Sequence, residues 1–523
     1  MPLTRSLSRR TLLAGGAAAY LSLGRSRGGW AASYPFTLGV ASGNPTPGGC
    51  VLWTRLAPEP LSPDPTRPGG MPPEVVAVRW EVAEDPAMQR IVRTGSAEAA
   101  AAFAHSVHIE CTGLYPDRPY WYRFIAAGEA SPIGYTRTAP ARRADAERLR
   151  FGFVSCAHYE RGFYSAYRHL AAEFPDLVVF LGDYIYESLA PANTRVRQHS
   201  DGVEAIDLRT YRNRHAQYKT DADLQAVHAA APCLAIWDDH EVQNDYAAGW
   251  SMTFDDPAAF LKRRAAAYRA FWEHMPLPQS ALPQGPDATI YGRCDFGTLA
   301  TFLFVDGRQY RSRLACDTPP RGGAKQIFDS SCPERLEPTR SLLGTAQEEW
   351  LFAQFRAAPA RWNILAQDVL MAEFKERVEG DAIAHWSDDW NGYPAARRRL
   401  LQQAHDSRLS NPVVLTGDIH SFWANDLKLD FDDPNAPIVA SEFVGTSISS
   451  PGPPHAKFTA WAADNPHVRF FDSRKRGYAS VELQRDRMTV AFRAVSDVKD
   501  PSASVSTLKS FVVESGKAGP VPA

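Results

Sequence analysis

Between Tyr34 and about Pro140 the apolar positions fall in short alternating runs, among them Cys50-Val51-Leu52-Trp53-Thr54 and Val76-Ala77-Val78-Arg79-Trp80-Glu81-Val82, broken by proline and glycine. Period-two alternation between turn signals is the pattern of half-buried strands, and it predicts a fibronectin/Ig-like β-sandwich over residues 34–140. Leu114-Tyr115-Pro116 and the following Tyr120-Trp121-Tyr122-Arg123-Phe124 supply its last turn and strand. An Ala- and Arg-rich linker from Thr138 to Glu147 then leads into a different pattern.

From Arg148 onward continuous apolar runs alternate with helical periodicity. Strands are predicted over 149–155, 177–181, 234–237, 300–305, 362–366 and 412–415, and helices over 163–173, 257–274 and 345–357. Strands fully apolar on both faces, separated by helices, make a layered α/β catalytic domain, assigned here to residues 148–516. Residues 283–286, 318–338 and 432–437 read as surface loops, and the stretch from Lys517 as a loose tail. The triplet Arg397-Arg398-Arg399 reads as a solvated helix face.

Composition adds limits. With 44% hydrophobic and 22% charged residues the chain has enough apolar material for a large core. Its 57 basic and 59 acidic residues give a net charge of −2, which disfavours nucleic acid as an obligate partner. Five arginines and no acid lie in residues 1–32, so the remainder alone would carry −7. Ser8-Arg9-Arg10-Thr11-Leu12-Leu13 followed by a short Ala/Gly/Leu run reads as a twin-arginine signal peptide, which predicts the twin-arginine export machinery as a partner and a periplasmic or extracellular location. The run is too short for a transmembrane helix, so no membrane anchor is expected in the mature form. Seven cysteines are too few for a disulfide scaffold; Cys316 with Cys332, and Cys50 with Cys111, are the candidate pairs.

In α/β sheets ligands gather at the carboxyl ends of the strands. Four predicted ends carry Cys156-Ala157-His158, Gly182-Asp183-Tyr184-Ile185-Tyr186-Glu187, Asp238-Asp239-His240-Glu241 and Gly417-Asp418-Ile419-His420. Carboxylates and histidines from separate strands hold two metals close together, and such a pair clamps the attacking and leaving oxygens of a displacement at phosphorus. Asp183 is best placed to bridge. Arg161 and Arg308 are candidates to grip phosphate oxygens through their planar forks, or else to pair with nearby acids. Asp306 would orient Arg308 or add an oxygen donor. Asn363, Gln367 and Asp368 lie on or past a strand that could reach the same rim. Trp386, Trp390, Tyr393 and Phe422 read as core or rim packing, with an aromatic lip for an organic leaving group as the other use.

These runs, with Tyr211-Arg212-Asn213-Arg214-His215-Ala216-Gln217-Tyr218 and Asp306-Gly307-Arg308-Gln309-Tyr310-Arg311, resemble the PhoD-type alkaline phosphatase/phosphodiesterase family within the metallophosphoesterases, from about Tyr34 through Ser450. Relative to the wider superfamily, Asp239 replaces an asparagine ligand and Asp418 a histidine, which shifts the donors toward oxygen and a hard cation. The resemblance implies a mixed Fe³⁺ and Ca²⁺ site, with iron held by Cys156, Asp183 and Tyr186. His420 would ligate iron or the bridging oxygen and Asp418 calcium, while Asp238, Asp239 and Asn244 remain undivided as further donors. His240 would be a general acid or transition-state stabiliser, or a structural histidine bonded to a carboxylate.

The expected activity is exported, metal-dependent hydrolysis of phosphate mono- and diesters by metal-activated hydroxide. A phospholipase D-like diesterase on the same scaffold is the enzyme alternative. A non-catalytic binding module and a redox enzyme using Cys156 stand further off.

Overall fold

The computed structural model describes residues 33–320, 322–357, 360–378, 380 and 382–523, so the twin-arginine segment lies outside the described residues. Two large sheets dominate. A ten-stranded sheet runs in the order Val521–Pro522, Val505–Glu514, Arg487–Val495, Gly477–Gln484, Arg148–Val154, Leu177–Leu181, Pro232–Ile236, Val40–Thr46, Gly49–Arg55, Ser106–Cys111. A seven-stranded sheet runs Gly292–Phe296, Ala300–Phe304, Trp362–Ala366, Pro412–Thr416, Ile438–Val444, Phe422–Lys428, Val468–Asp472.

The central strands are apolar at consecutive positions because both faces are covered. Phe302, Ile364 and Leu415 of the seven-stranded sheet join Phe151, Val179 and Val481 of the ten-stranded sheet in one core. Their neighbours Leu303, Leu365 and Val414 face the other way, against Leu351 and Phe355 of the helix Thr345–Arg356 and Leu400 of the helix Pro394–Asp406. Tyr167 and Leu170 of the helix Ser165–Ala172, with Leu224 of the helix Ala222–Ala230, are part of the core that the ten-stranded sheet shares. The packing is helix, sheet, sheet, helix.

The N-terminal region is β-rich, as predicted, but its sheets are divided. Ile91–Ala99, Val76–Ala83 and Pro119–Ala126, with Glu129–Ala130 and Gly134–Arg137, form a five-stranded sheet. Its counterpart, Val40–Thr46 with Gly49–Arg55 and Ser106–Cys111, is the outer end of the ten-stranded sheet, because Ser42 and Gly43 pair in parallel with Pro232 and Cys233. Leu52, Val78, Val107, Tyr122 and Phe124 fill the space between the two. Strand pairing across residues 138–147 therefore makes the linker a boundary in sequence and not in hydrogen bonding.

Three further expectations are corrected. Cys50 and Cys111 stand opposite each other on adjacent strands, yet both are free thiols, and burial pushes that of Cys50 up to about 12; the Cys316–Cys332 bond is present. The C-terminal stretch is an edge strand, Val521–Pro522, paired with Phe511 and Val512. Arg397 is buried against Glu373. Among the described residues no helix is long and apolar enough to cross a membrane.

Phe302 is fully buried between the sheets and meets Phe151 edge-on at a centroid distance of 5.2 Å. Phe302→Ala is expected to cost about 3–5 kcal/mol of stability, read as a lowered melting transition that added cations leave in place.

Candidate active site

The parallel strands of both sheets end at one edge, where an isolated bridge between Ser155 and Ser447 joins them. Every polar strand end named from the sequence converges there. The backbone turns sharply to bring this about: Cys156, Asp183, Asp245, Asp418 and His420 all hold φ between 51° and 60°. For a residue with a Cβ the left-handed region costs on the order of 1 kcal/mol, so these turns need bracing.

Glu241 is one brace. Its buried carboxylate accepts from the backbone N–H of Asp183 (3.1 Å), Tyr184 (2.6 Å) and Asp238 (2.8 Å), tying two strand ends together. Arg476 is another, donating to the carbonyls of His420 (2.6 Å) and Ser450 (2.8 Å). Gly182 must be glycine, since φ is +90° and a Cβ would stand 2.4 Å from the Asp238 Cβ.

Among the described residues, three groups of side chains could each hold a cation, with ligand atoms within 4.8 Å of one another: Cys156, Asp183 and His420; Asp183, Asp239 and His240; Asp239, Asp245 and Asp388. Asp183 is shared by the first two and Asp239 by the last two, so the groups form a chain. Tyr186 sits at the first, its phenol 2.7 Å from Asp183 Oδ2 and 3.0 Å from His420 Nε2, with Ser450 donating to it at 2.8 Å. His158 stacks on the Tyr186 ring at 4.3 Å.

The donors fit cations by their own chemistry. Asp183 Oδ1, Asp238 Oδ2, Asp239 Oδ1 and both Asp368 oxygens are buried without a hydrogen-bond partner. Burial drives Asp183, Asp238 and Asp418 well above the ordinary carboxylate range, with neighbouring carboxylates adding to the effect. Burial opposes ionisation of Asp239 too, but Arg308 and then His240 outweigh it and hold that carboxyl below its usual range. Orphaned oxygens and mutual repulsion are what bound cations would relieve. The carboxylate-only third group suits a hard cation; the first adds thiol and imidazole.

Arg308 is not placed to grip a substrate. It is fully buried, 2.5 Å from Asp238, 2.8 Å from Asp388, and 3.6 Å from both Asp239 and Asp368. Asp238 and Asp388 take two of its N–H groups, Asp239 and Asp368 stand close by, and Asp306 fixes its turn by accepting from the N–H of Arg308 and Gln309. Arg161 differs: half-buried, it makes no side-chain hydrogen bond or ion pair among the described residues and feels Glu160 and Tyr186 only through space.

His240 Nδ1 donates to Glu187 Oε2 at 2.6 Å, and Glu187 is itself fixed by the Asn244 N–H at 2.9 Å. Burial disfavours a charged ring, but Glu187, Asp183 and Asp239 together hold His240 protonated well above its usual range. Asn244 turns its amide toward Met252, and Asp245 takes the place beside Asp239, where its N–H reaches Asp239 Oδ2 at 2.6 Å. Asn363 bonds the carbonyls of Ala360 and Ser410 at the far end of its strand, and Gln367 bonds Thr416 and Trp390, so neither serves the site. Trp390, Tyr393 and Phe422 are core. Sequence reasoning missed Asp245, Asp388, Glu241 and Arg476 as site residues; Glu241 stood inside a quoted run, and Asp388 follows the strand Ile383–Trp386.

Two clefts flank the acids. One of about 740 Å³ opens beside His240, Glu187 and Asn244; the other, of about 640 Å³, beside Asp245, Asp388, Asp418 and His420. A further cleft of about 1030 Å³ lies by Arg148 and Asp176 at the opposite ends of the strands and holds none of these residues.

Residues 151–492 match the PhoD-like phosphatase family, and residues 24–140 match the N-terminal domain of the same family. The chain belongs to the PhoD-like phosphatase family. It is 44% identical over 494 residues to alkaline phosphatase D of Bacillus subtilis (strain 168), covering 93% of this chain and 82% of that protein. A solved structure of PhoD, also 44% identical, superposes with a TM-score of 0.88 over 94% of this chain and 92% of that one. The family match spans every strand end described above.

Glu241→Gln puts an amide where three N–H groups need acceptors. Affinity of metal-stripped protein for calcium, read by titration calorimetry, should fall about 10- to 100-fold. Arg308→Met leaves four carboxylates facing one another. The metal-free variant should melt lower by several kcal/mol of stability, and calcium should recover more of the loss than it adds to the parent protein.

Proposed function

We propose that the chain is an exported, metal-dependent phosphoric ester hydrolase acting on phosphate mono- and diesters. The observation that carries this reading is the chain of three ligand groups joined through Asp183 and Asp239, with an unpaired arginine at its edge. The helix–sheet–sheet–helix packing and the β-rich N-terminal region support a metallophosphoesterase-like body with a fibronectin/Ig-like partner. Cys156, Asp183, Tyr186 and His420 would hold Fe³⁺, and Asp239, Asp245 and Asp388, with Asp238 and Asp418 close by, offer the oxygen donors that Ca²⁺ prefers. Export rests on the twin-arginine leader, which agrees with cofactor loading before transport.

Bound cations supply Lewis-acid charge to the phosphoryl oxygens and lower the pKa of water. The chain supplies the rest. Arg161 is free to take two non-bridging oxygens in its fork. Glu187 accepts from Nδ1 of His240, which leaves Nε2–H of a protonated ring to stabilise a non-bridging phosphoryl oxygen in the transition state. Arg308, fully buried among Asp238, Asp239, Asp368 and Asp388, offsets part of the charge of the carboxylates that position the site.

A phospholipase D-like activity would need a long apolar surface beside the acids. The cleft of about 640 Å³ instead combines Trp386, Phe458 and Trp461 with Lys325, Glu376 and Lys457, which favours a compact ester over paired acyl chains.

A chromogenic monoester, a diester and a phospholipid, each assayed before and after calcium chelation, test this. Loss of monoester and diester turnover on chelation and recovery with calcium are expected; no calcium-dependent turnover of any ester would overturn the reading. Arg161→Ala should lower kcat/KM about 10- to 100-fold, the scale of a lost charge-assisted hydrogen bond.

A further inference from the structure

Trp386 is the anomaly on the rim of the site. It is 37% exposed, while Trp390, four residues on, is buried. Among the described residues its indole takes part in no ring stacking, cation–π contact or hydrogen bond that packing would call for, although it lines the cleft whose floor is Asp388, Asp418 and His420. The facing wall is already engaged: Phe458 stacks on Phe374 at 5.7 Å, and the Lys457 ammonium covers the Trp461 ring at 4.4 Å. One aromatic face at this rim is left without a partner.

Its position is also fixed. Trp386 pairs with Gln326 in a small three-stranded sheet, and the next residue, Ser387, bonds Lys325 in both directions through its N–H and its hydroxyl. Asp388 follows, held by Arg308 and Arg311. The Cys316–Cys332 bond closes the loop that carries Gln326. A tryptophan held in this way, two residues from Asp388, keeps part of its ring open to the cleft that the acids line.

We propose that Trp386 forms a stacking seat for a flat aromatic leaving group of the ester, which makes it the residue that sets leaving-group preference. This rests on the proposed ester hydrolysis at the neighbouring acids. A phosphoryl group at Asp183 and Asp239 directs its leaving substituent either toward His240 or toward this cleft. Both sides carry acids, but the His240 side has Phe260 as its one phenyl or indole ring, while this side sets Trp386, Phe458 and Trp461 beside Lys325 and Lys457 in about 640 Å³, room for a ring. A ring slid onto Trp386 gains stacking that an aliphatic group does not.

The test separates binding from turnover by using phenylphosphonate and methylphosphonate, neither of which has an ester bond to cleave. The metal-loaded enzyme should bind the phenyl compound about five- to tenfold more tightly. In Trp386→Ala the ratio should fall below about twofold, and Trp386→Phe should restore most of it. Trp386→Thr, suited to a strand end, carries the same expectation if the alanine variant does not fold. In parallel, the ratio of KM for a phenyl ester against an aliphatic ester should narrow in Trp386→Ala, with the kcat ratio staying closer to that of the parent. Equal affinities in the parent, or a ratio that survives removal of the ring, would overturn the seat. A binding ratio that depends on Trp386 without turnover of any ester would keep the seat and reject the hydrolase reading.

Discussion

The Arg308 guanidinium touches or closely approaches Asp238, Asp239, Asp368 and Asp388 while fully buried. Arg311 helps, 2.7 Å from Asp388 and 3.8 Å from Asp368. Two guanidinium charges against these acids, with Asp183, Asp245 and Asp418 beyond them, fall short of the negative charge that full ionisation would bring, and burial with mutual repulsion raises Asp183, Asp238, Asp245 and Asp418 accordingly. Buried charge of one sign is costly, and a buried pair broken on one side costs about 3–5 kcal/mol. The arginines make the cluster tolerable to the fold without completing it. The remaining orphan oxygens on Asp183, Asp238 and Asp239 are where added cations gain most.

That arrangement depends on strand direction. Parallel strands from two facing sheets present all their carboxyl ends at one edge, so residues far apart in sequence come together. Left-handed turns at Cys156, Asp183 and Asp418 then bend the chain immediately after each strand, which aims side chains across the edge and not along it. Three N–H groups on the Glu241 carboxylate and two carbonyls on Arg476 hold those turns. The strain is local to the site, and the bracing comes from the buried side chains of Glu241 and Arg476.

The sequence carried the strand ends well, because an apolar run followed by glycine and aspartate is a local signal. Leu177–Leu181 and the Gly182-Asp183 turn were legible in this way, as were Pro412–Thr416 and Asp418. What it did not carry was who pairs with whom. Arg308 sits in a strand-end motif whether it faces phosphate or four acids, and only the fold shows the acids. Asp388 was hidden because its strand, Ile383–Trp386, belongs to a small sheet outside the parallel array. The membership of Val40–Thr46 in the large sheet escaped for a similar reason: alternation marks a strand, but parallel pairing with Pro232 and Cys233 is a long-range fact.

The two clefts beside the acids differ in lining, and this gives the site a direction. Both carry acids, Glu187, Glu204 and Asp255 on the His240 side and Asp245, Glu376, Asp388 and Asp418 on the other, so neither draws in an anionic ester by its own charge. Only the second side sets lysines, Lys325 and Lys457, and the rings of Trp386, Phe458 and Trp461 beside its acids. Arg263, the one arginine lining the His240 side, is bound to Glu204 and to the Tyr211 hydroxyl, so it offers little to a second anion. The negative charge that demands cations at the centre thus also keeps anions from both flanks until cations are bound, and the bulk of the ester is left to the aromatic, lysine-bearing cleft.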